Sequence, residues 1–296
     1  MTTIAFIGLG NMGGPMAANL VKAGYAVSGF DLVARAAKEA ATAGVVIAAN
    51  ARAAVTHADV VVTMLPAGRH VLTLWGEVIG AARPGTLFID CSTIDVDSAR
   101  KAHDMAHAAG MASLDCPVSG GTGGARAATL TFMAGGEKTA FSRARPVLDK
   151  MGKRVVHCGG AGAGQAAKIC NNMLLGVSMI GVCEAFVLGE KLGLSHQALY
   201  DVASASSGQC WSLTSYCPVP GPVPAAPSNN DYVPGFSADL MLKDLRLAQE
   251  AALAAGSATP LGAAAAQLYG LLAGSGQGGR DFSAIIEMIR GEHRPV

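Results

Sequence analysis

The chemistry this chain can do is concentrated in a few short motifs. Lys168-Ile169-Cys170-Asn171-Asn172 opens a stretch with no further charge until Glu184. Lys168 and Asn172 are four residues apart, so on a helix they share one face. Burying an amine without a partner is costly, so a lysine there points to function. Such a lysine is suited to exchanging a proton with a substrate hydroxyl. The competing reading is a side chain that snorkels from the helix start to solvent. A second motif is Asp115-Cys116-Pro117-Val118-Ser119-Gly120-Gly121-Thr122-Gly123-Gly124. The Ser119 hydroxyl and the amides of Gly120 and Gly121 could hold a carboxylate, with a flexible turn as the alternative. A phosphate loop fits less well, because no Gly-Lys-Ser/Thr ending follows.

A third motif, Gly8-Leu9-Gly10-Asn11-Met12-Gly13, directly follows the apolar run Ile4–Ile7 and precedes a helical pattern around Met16–Leu20. In that context the glycines read as a dinucleotide-binding turn. Gly8 makes the turn, Gly10 lets a pyrophosphate approach the backbone, and Gly13 lets helix and strand pack closely. Asp31 ends the next apolar run. A carboxylate there accepts from ribose hydroxyls and repels a 2′-phosphate, which favours NAD over NADP, although Arg35 stands close by. Lys243, inside Leu240-Met241-Leu242-Lys243-Asp244-Leu245, reads by itself as a surface salt bridge with Asp244 or another neighbour. His103 and His107 have the i, i+4 spacing of a zinc pair, but the usual Glu is missing and the segment reads as a surface helix. No metal site is expected.

These motifs need positioning elements. The runs Ile4–Ile7, Ala26–Phe30, Val45–Ile47, Val60–Leu65, Leu87–Ile89 and Met111–Leu114 alternate with Ala-rich, helix-length segments. Unbroken apolar runs suggest strands covered on both faces, so the expectation is α/β, a Rossmann-type doubly wound parallel sheet. Thr131–Ala134 and Val155–His157 extend it. The character changes at the Gly/Ala stretch Gly159–Gly164. This predicts an NAD-binding domain over 1–161 and an all-helical domain for substrate binding and oligomerisation over 162–296. A helix over Gln165–Leu192, apolar on nearly all sides, is expected to be buried on nearly all sides and to link them. Leu240–Ala255 and Gly262–Leu272 are further helices, and five prolines between Pro218 and Pro227 predict an extended loop.

Composition narrows the partners. Hydrophobic residues are 51% and charged residues 15%, which excludes intrinsic disorder. With 22 Lys+Arg against 21 Asp+Glu, nothing favours nucleic acid or an anionic membrane surface. The uncharged stretches Val202–Asn230 and Ala251–Gly279 are too rich in Ser, Pro, Ala and Gly to suggest a membrane span. Seven cysteines, an odd number with no Cys-x-x-Cys, read as free thiols in a reducing compartment, and no targeting segment is visible, so a cytoplasmic location is expected.

Together the motifs resemble the β-hydroxyacid dehydrogenase family. The resemblance rests on Phe6-Ile7-Gly8-Leu9-Gly10-Asn11-Met12-Gly13, Pro117-Val118-Ser119-Gly120-Gly121 and Gly164-Gln165-Ala166-Ala167-Lys168-Ile169-Cys170-Asn171-Asn172, and runs from about Ile4 to Ile289. Ser206-Ser207-Gly208-Gln209-Cys210-Trp211-Ser212 and Pro218-Val219-Pro220-Gly221 look like the branch acting on 3-hydroxyisobutyrate. The resemblance implies Lys168 as catalytic lysine, Asn172 as its companion, and Ser119, Gly120 and Gly121 on the substrate carboxylate. It implies NAD as cofactor, held by Gly8, Leu9, Gly10, Asn11, Met12, Gly13 and Asp31. Leu65, Pro66, His70, Thr93 and Lys243 would complete the cofactor site. It implies oxidation of (S)-3-hydroxyisobutyrate to methylmalonate semialdehyde by a homodimer or homotetramer. Sibling reductases of tartronate or succinic semialdehyde, and a non-catalytic dinucleotide sensor, are the alternatives. Cys116 departs from the family's usual Ala, and Ala128 from its frequent Gly. Because Cys116 adjoins the substrate motif, partial inactivation by thiol reagents is expected.

Overall fold

The computed structural model describes residues 2–291, and the chain divides into two compact units between Lys168 and Ile169. The first begins with strands β1 (Thr3–Ile7), β2 (Ala26–Phe30), β3 (Val46–Ile47), β4 (Val60–Thr63), β5 (Leu87–Asp90) and β6 (Ala112–Asp115). All pair in parallel, in the order β3-β2-β1-β4-β5-β6. Successive side chains on a strand point to opposite faces, so one apolar run feeds two cores. Phe6, Val62 and Ile89 enter the layer under helices α1 (Gly13–Lys22) and α2 (Ala34–Thr42). Ala5, Ile7, Val61 and Phe88 enter the opposite layer, under α3 (Ala51–Val55), α4 (Gly68–Val78) and α5 (Val96–Ala108). Trp75 of α4 anchors that second layer, edge-on to Phe88.

Beyond β6 the sheet becomes mixed. Strand β7 (Val118–Ser119) and helix α6 (Gly121–Ala127) lead into β8 (Leu130–Gly135), which runs antiparallel to both β6 and β7. Helix α7 (Lys138–Leu148) then returns the chain to β9 (Gly152–Gly159), parallel to β8. The sequence gives little hint of β7, because two residues inside a Pro-Val-Ser-Gly turn carry no periodicity. Ala128 closes α6 in the left-handed region (φ 54°, ψ 38°), which explains why glycine suits this position: a side chain there is strained.

The long helix, α8 (Ala163–Lys191), starts in the first unit and continues into the second. The second unit adds α9 (His196–Ser204), α10 (Trp211–Thr214), α11 (Ala238–Ala254), α12 (Pro260–Leu272) and α13 (Ile285–Arg290). Met179, Cys183, Phe186 and Val187 of α8 share a core with Met241, Leu245, Tyr269 and Ile285. The expectation that α8 is buried on nearly all sides fails. Leu174 and Leu188 are 65% and 59% exposed, so the helix has a core face and an open apolar stripe. By length and composition it would pass as a membrane span, which the sequence reading did not notice. Near Pro218, side chains supply donors that proline lacks: Ser228 Oγ donates to the Cys217 carbonyl at 2.8 Å, and the Tyr232 hydroxyl to that of Pro218 at 2.8 Å.

Candidate active site

The glycine turn lies where β1 passes into α1. Gly8 has φ of +93°, and a Cβ on it would strike the Met64 carbonyl oxygen. A Cβ on Gly13 would strike the Gly8 carbonyl, so these two glycines serve the close approach of helix and strand. Gly10 differs: nothing stands within 4 Å of where its Cβ would be. That open space is what a pyrophosphate needs to reach the backbone. Leu9, Gly10, Asn11 and Asp31 border a groove of about 590 Å³. Asp31 is held by the Leu9 amide at 2.6 Å and the Val33 amide at 2.7 Å, which fixes its carboxylate at the groove. Its free lone pairs suit ribose hydroxyls, so these residues fit NAD. Arg35 borders the same groove, and its guanidinium lies 3.6 Å from Glu39 in a highly exposed pair. Arg126 also borders the groove and was missed in the sequence; its guanidinium is of the type that pairs with a phosphate.

The loops after β4 and β5 are tied together. The Leu65 amide donates to Ser92 Oγ (2.8 Å), and Ser92 Oγ donates to Asp90 Oδ1 (2.6 Å). Thr63 donates to the same carboxylate oxygen at 2.7 Å. Asp90 is buried, and its other oxygen, Oδ2, has no hydrogen-bond partner among the described residues. Burial raises its pKa to about 6, against the pull of the Ser92 and Thr63 bonds and with some help from Asp115. Leu65 and Thr93 are thereby held on one framework, with Thr93 half-buried. Pro66 and His70 are exposed, His70 in the first turn of α4.

Asp115, at the end of β6, reaches the start of α8. It accepts from the amides of Gly162 and Gln165, both at 2.8 Å. His103 also reaches it, with Nε2 at 2.9 Å, while Ser113 Oγ lies 2.7 Å from His103 Nδ1. So His103 faces its own sheet rather than pairing with exposed His107. Among the described residues no group of three or more His, Cys, Asp or Glu is placed to hold a metal ion.

Ser119 ends β7, and Gly120 and Gly121 follow at φ of +133° and +60°. Two successive positive φ angles define a turn that glycine alone adopts at little cost. Cys116 corrects the sequence reading. It is completely buried, and burial pushes its thiol well up, so it is not the reactive thiol expected. Cys91, Cys183 and Cys217 are buried as well, whereas Cys170 is exposed. Native-state labelling with a thiol reagent, mapped by mass spectrometry, should leave Cys116 unmodified until the protein unfolds. Labelling of Cys116 in the folded enzyme would reverse this correction.

Lys168 and Asn172 stand one turn apart on α8, with 6% and 2% of their surface exposed. Snorkelling to solvent is therefore excluded for Lys168. In the second unit, Asn172 Nδ2 donates to Asp244 Oδ2 at 2.5 Å, and Asn171 Nδ2 donates to Asn172 Oδ1 at 2.9 Å. Asp244, buried on α11, is the second residue the sequence did not reveal: it fixes the Asn172 amide. Its position beside Lys243 had suggested only a surface charge. Lys243 itself is half-buried on α11. The arrangement offers a buried amine and an oriented amide, enough to take a proton from a hydroxyl and hold its oxygen.

Comparison with known proteins shows the family to which the chain belongs. Residues 3–160 match the NAD binding domain of 6-phosphogluconate dehydrogenase, and residues 162–289 match the NAD-binding region of NADP-dependent 3-hydroxyisobutyrate dehydrogenase. A probable 3-hydroxyisobutyrate dehydrogenase of Mycobacterium tuberculosis is 56% identical over 290 residues, 98% of both chains. An NAD-dependent L-serine dehydrogenase of Pseudomonas aeruginosa is 51% identical over 292 residues, also 98% of both. Among solved structures, the M. tuberculosis 3-hydroxyisobutyrate dehydrogenase with L-serine superposes with a TM-score of 0.96 at 56% identity, covering 98% of this chain and 99% of that one.

Proposed function

The chain belongs to the 3-hydroxyisobutyrate dehydrogenase family of NAD-dependent oxidoreductases, and on that premise we propose that it oxidises (S)-3-hydroxyisobutyrate to methylmalonate semialdehyde, a step of valine breakdown. The observation that carries the mechanism is the buried Lys168–Asn172 pair on one helix turn. NAD, held by the Gly8–Gly13 turn and Asp31, supplies a hydride acceptor. The rest falls to the chain. Ser119 and the amides of Gly120 and Gly121 bind the substrate carboxylate, and Asn172 holds the hydroxyl oxygen. Lys168 takes the hydroxyl proton as the adjacent carbon gives up its hydride, and returns it in the reverse direction. Leu65, Pro66, His70, Thr93 and Lys243 line the cofactor in this reading.

A second reading has L-serine as substrate, favoured by the 51% identical L-serine dehydrogenase and by the L-serine in the M. tuberculosis structure. The two substrates share a carboxylate and a hydroxymethyl group. They differ at the central carbon, which bears a methyl in one and an ammonium in the other. Initial rates of NAD reduction with each, and with D-glycerate and 4-hydroxybutyrate, separate the readings. We expect the highest kcat/KM with (S)-3-hydroxyisobutyrate and a lower value with NADP than with NAD, because Asp31 repels a 2′-phosphate. A preference for L-serine would replace the substrate and keep the Lys168 chemistry. NAD binding with no turnover of any acid would favour a sensor.

The open stripe at Leu174 and Leu188 suits burial against a second copy, so we propose a homo-oligomer in the cytoplasm. Seven free cysteines agree with a reducing compartment. Light scattering that gives the mass of a single chain would remove the oligomer, and recovery of the protein in a membrane fraction would remove the cytoplasmic assignment.

A further inference from the structure

Gln165 is wholly buried in the first turn of α8, three residues before Lys168, and all its polar groups are committed. Its backbone amide donates to Asp115 Oδ2 at 2.8 Å. Its side chain grips the loop after β5 on both sides of Thr93. Nε2 donates to the Ser92 carbonyl at 2.7 Å, and Oε1 accepts from the Ile94 amide at 3.1 Å. Ser92 and Ile94 are buried too, so water does not compete for these bonds. The loop is fixed further by Asp90 and, through Ser92, to the Leu65 amide. The start of α8 is fixed by Asp115, which also accepts from the Gly162 amide.

We propose that Gln165 is a positioning residue for the dehydrogenase reaction: it locks the helix turn that carries Lys168 to the loop that carries Thr93. This rests on the reading of Lys168 as the proton acceptor and Thr93 as a cofactor neighbour. Oxidation needs proton and hydride to leave the same hydroxymethyl group in one aligned geometry. A misplacement of about 1 Å is enough to cost on the order of 10²-fold in rate. An amide is the side chain that can donate to one backbone group and accept from another two residues along. Leucine offers neither bond. Glutamate offers both only when protonated, because its ionised form sets a negative oxygen against the Ser92 carbonyl.

That difference supplies a readout that loss of packing alone does not give. The charged and titratable groups around the Gln165 bonds include Asp115, which accepts from its amide, Asp90, which is bonded to Ser92, His103 on Asp115, the buried thiols of Cys91 and Cys116, Arg100 beside Gly162, and Lys168 on its own helix. Burial and the two aspartates favour the protonated form of a glutamate placed there, while Arg100 and, when charged, Lys168 oppose them. We expect Gln165→Leu to lower kcat at least about tenfold, with the Kd for NAD unchanged within about twofold. We expect Gln165→Glu to recover: its kcat relative to wild type should rise several-fold as the pH falls from about 9 to about 6, while the Gln165→Leu ratio stays flat.

Steady-state kinetics on both variants, with NAD affinity from fluorescence titration, makes the test. A Gln165→Leu kcat within about twofold of wild type, or a Gln165→Glu ratio that does not change with pH, would overturn the proposal. If Gln165→Leu does not fold, the pH ratio of Gln165→Glu still decides. Lys168→Ala, run alongside, separates the two layers. If it keeps normal turnover, the Lys168 reading falls and takes this inference with it. If it is inactive while Gln165→Leu is not, only the role of Gln165 falls.

Discussion

Lys168→Ala is expected to lower kcat by about 10²–10⁴, the usual contribution of a positioned general base, while NAD still binds. The two effects separate because they rest on different parts of the first unit. The groove at Gly10, Asn11 and Asp31 is built from the ends of β1 and β2, and none of its lining residues comes from α8. The carboxylate contacts proposed for Ser119, Gly120 and Gly121 also stay in place, so KM should change much less than kcat. That split marks an interaction used mainly in the transition state. A small primary amine added to the Lys168→Ala enzyme should restore part of the rate, since the site left by a buried side chain can admit a base of that size. Stopped-flow measurement of NADH formation reports the hydride step directly. Turnover near wild type without added amine would remove Lys168 from the mechanism.

Much of this was legible in the sequence, for identifiable reasons. The parallel half of the sheet could be read because Ile4–Ile7, Val60–Leu65 and Leu87–Ile89 are largely apolar runs that feed two cores. The glycine turn could be read because Gly8 and Gly13 sit where a Cβ would meet backbone, a demand that no other residue meets. The antiparallel return of β8 and the short β7 could not, since two-residue strands and strand direction leave no periodic trace. The burial of α8 was overstated because uniform apolarity does not tell a core face from a face open for a partner. The supporting residues were the least legible. Asp244, Gln165 and Asp115 act through contacts with residues far away in sequence, such as Asp244 with Asn172 and Gln165 with Ser92 and Ile94. Arg126 reaches the cofactor groove from a helix more than a hundred positions after the glycine turn. Cys116 looked reactive by its neighbours in the chain, and only its burial shows otherwise.

Asp90→Asn is expected to make the folded protein more stable at neutral pH, and the gain should vanish in acid. The Asp90 pKa is about 6 when folded against an ordinary aspartate value of 3.8, chiefly because burial disfavours the charged form. The sign follows from proton binding. Between about pH 4 and about pH 6 the folded state holds a proton that the unfolded chain has released, so stability falls as pH rises through this range. Above the folded pKa the loss is complete and constant. A shift of this size corresponds to roughly 3 kcal/mol. Asparagine keeps the Oδ1 acceptor on which the Ser92 and Thr63 bonds converge, and it carries no charge to bury. The atom it changes is Oδ2, which has no hydrogen-bond partner among the described residues of the wild type. Thermal unfolding of both proteins should therefore show Asp90→Asn melting several degrees higher at about pH 7.5, with the difference shrinking toward zero near pH 4. A difference that is constant across pH would mean that Asp90 does not carry its charge at a cost to the fold. A variant less stable at every pH would mean that the Oδ2 position needs an acceptor. The ionised carboxylate is kept at this cost beside Ser92, Leu65 and Thr93, where the β4 and β5 loops have to hold their places for the cofactor; sites of this kind commonly trade stability for function.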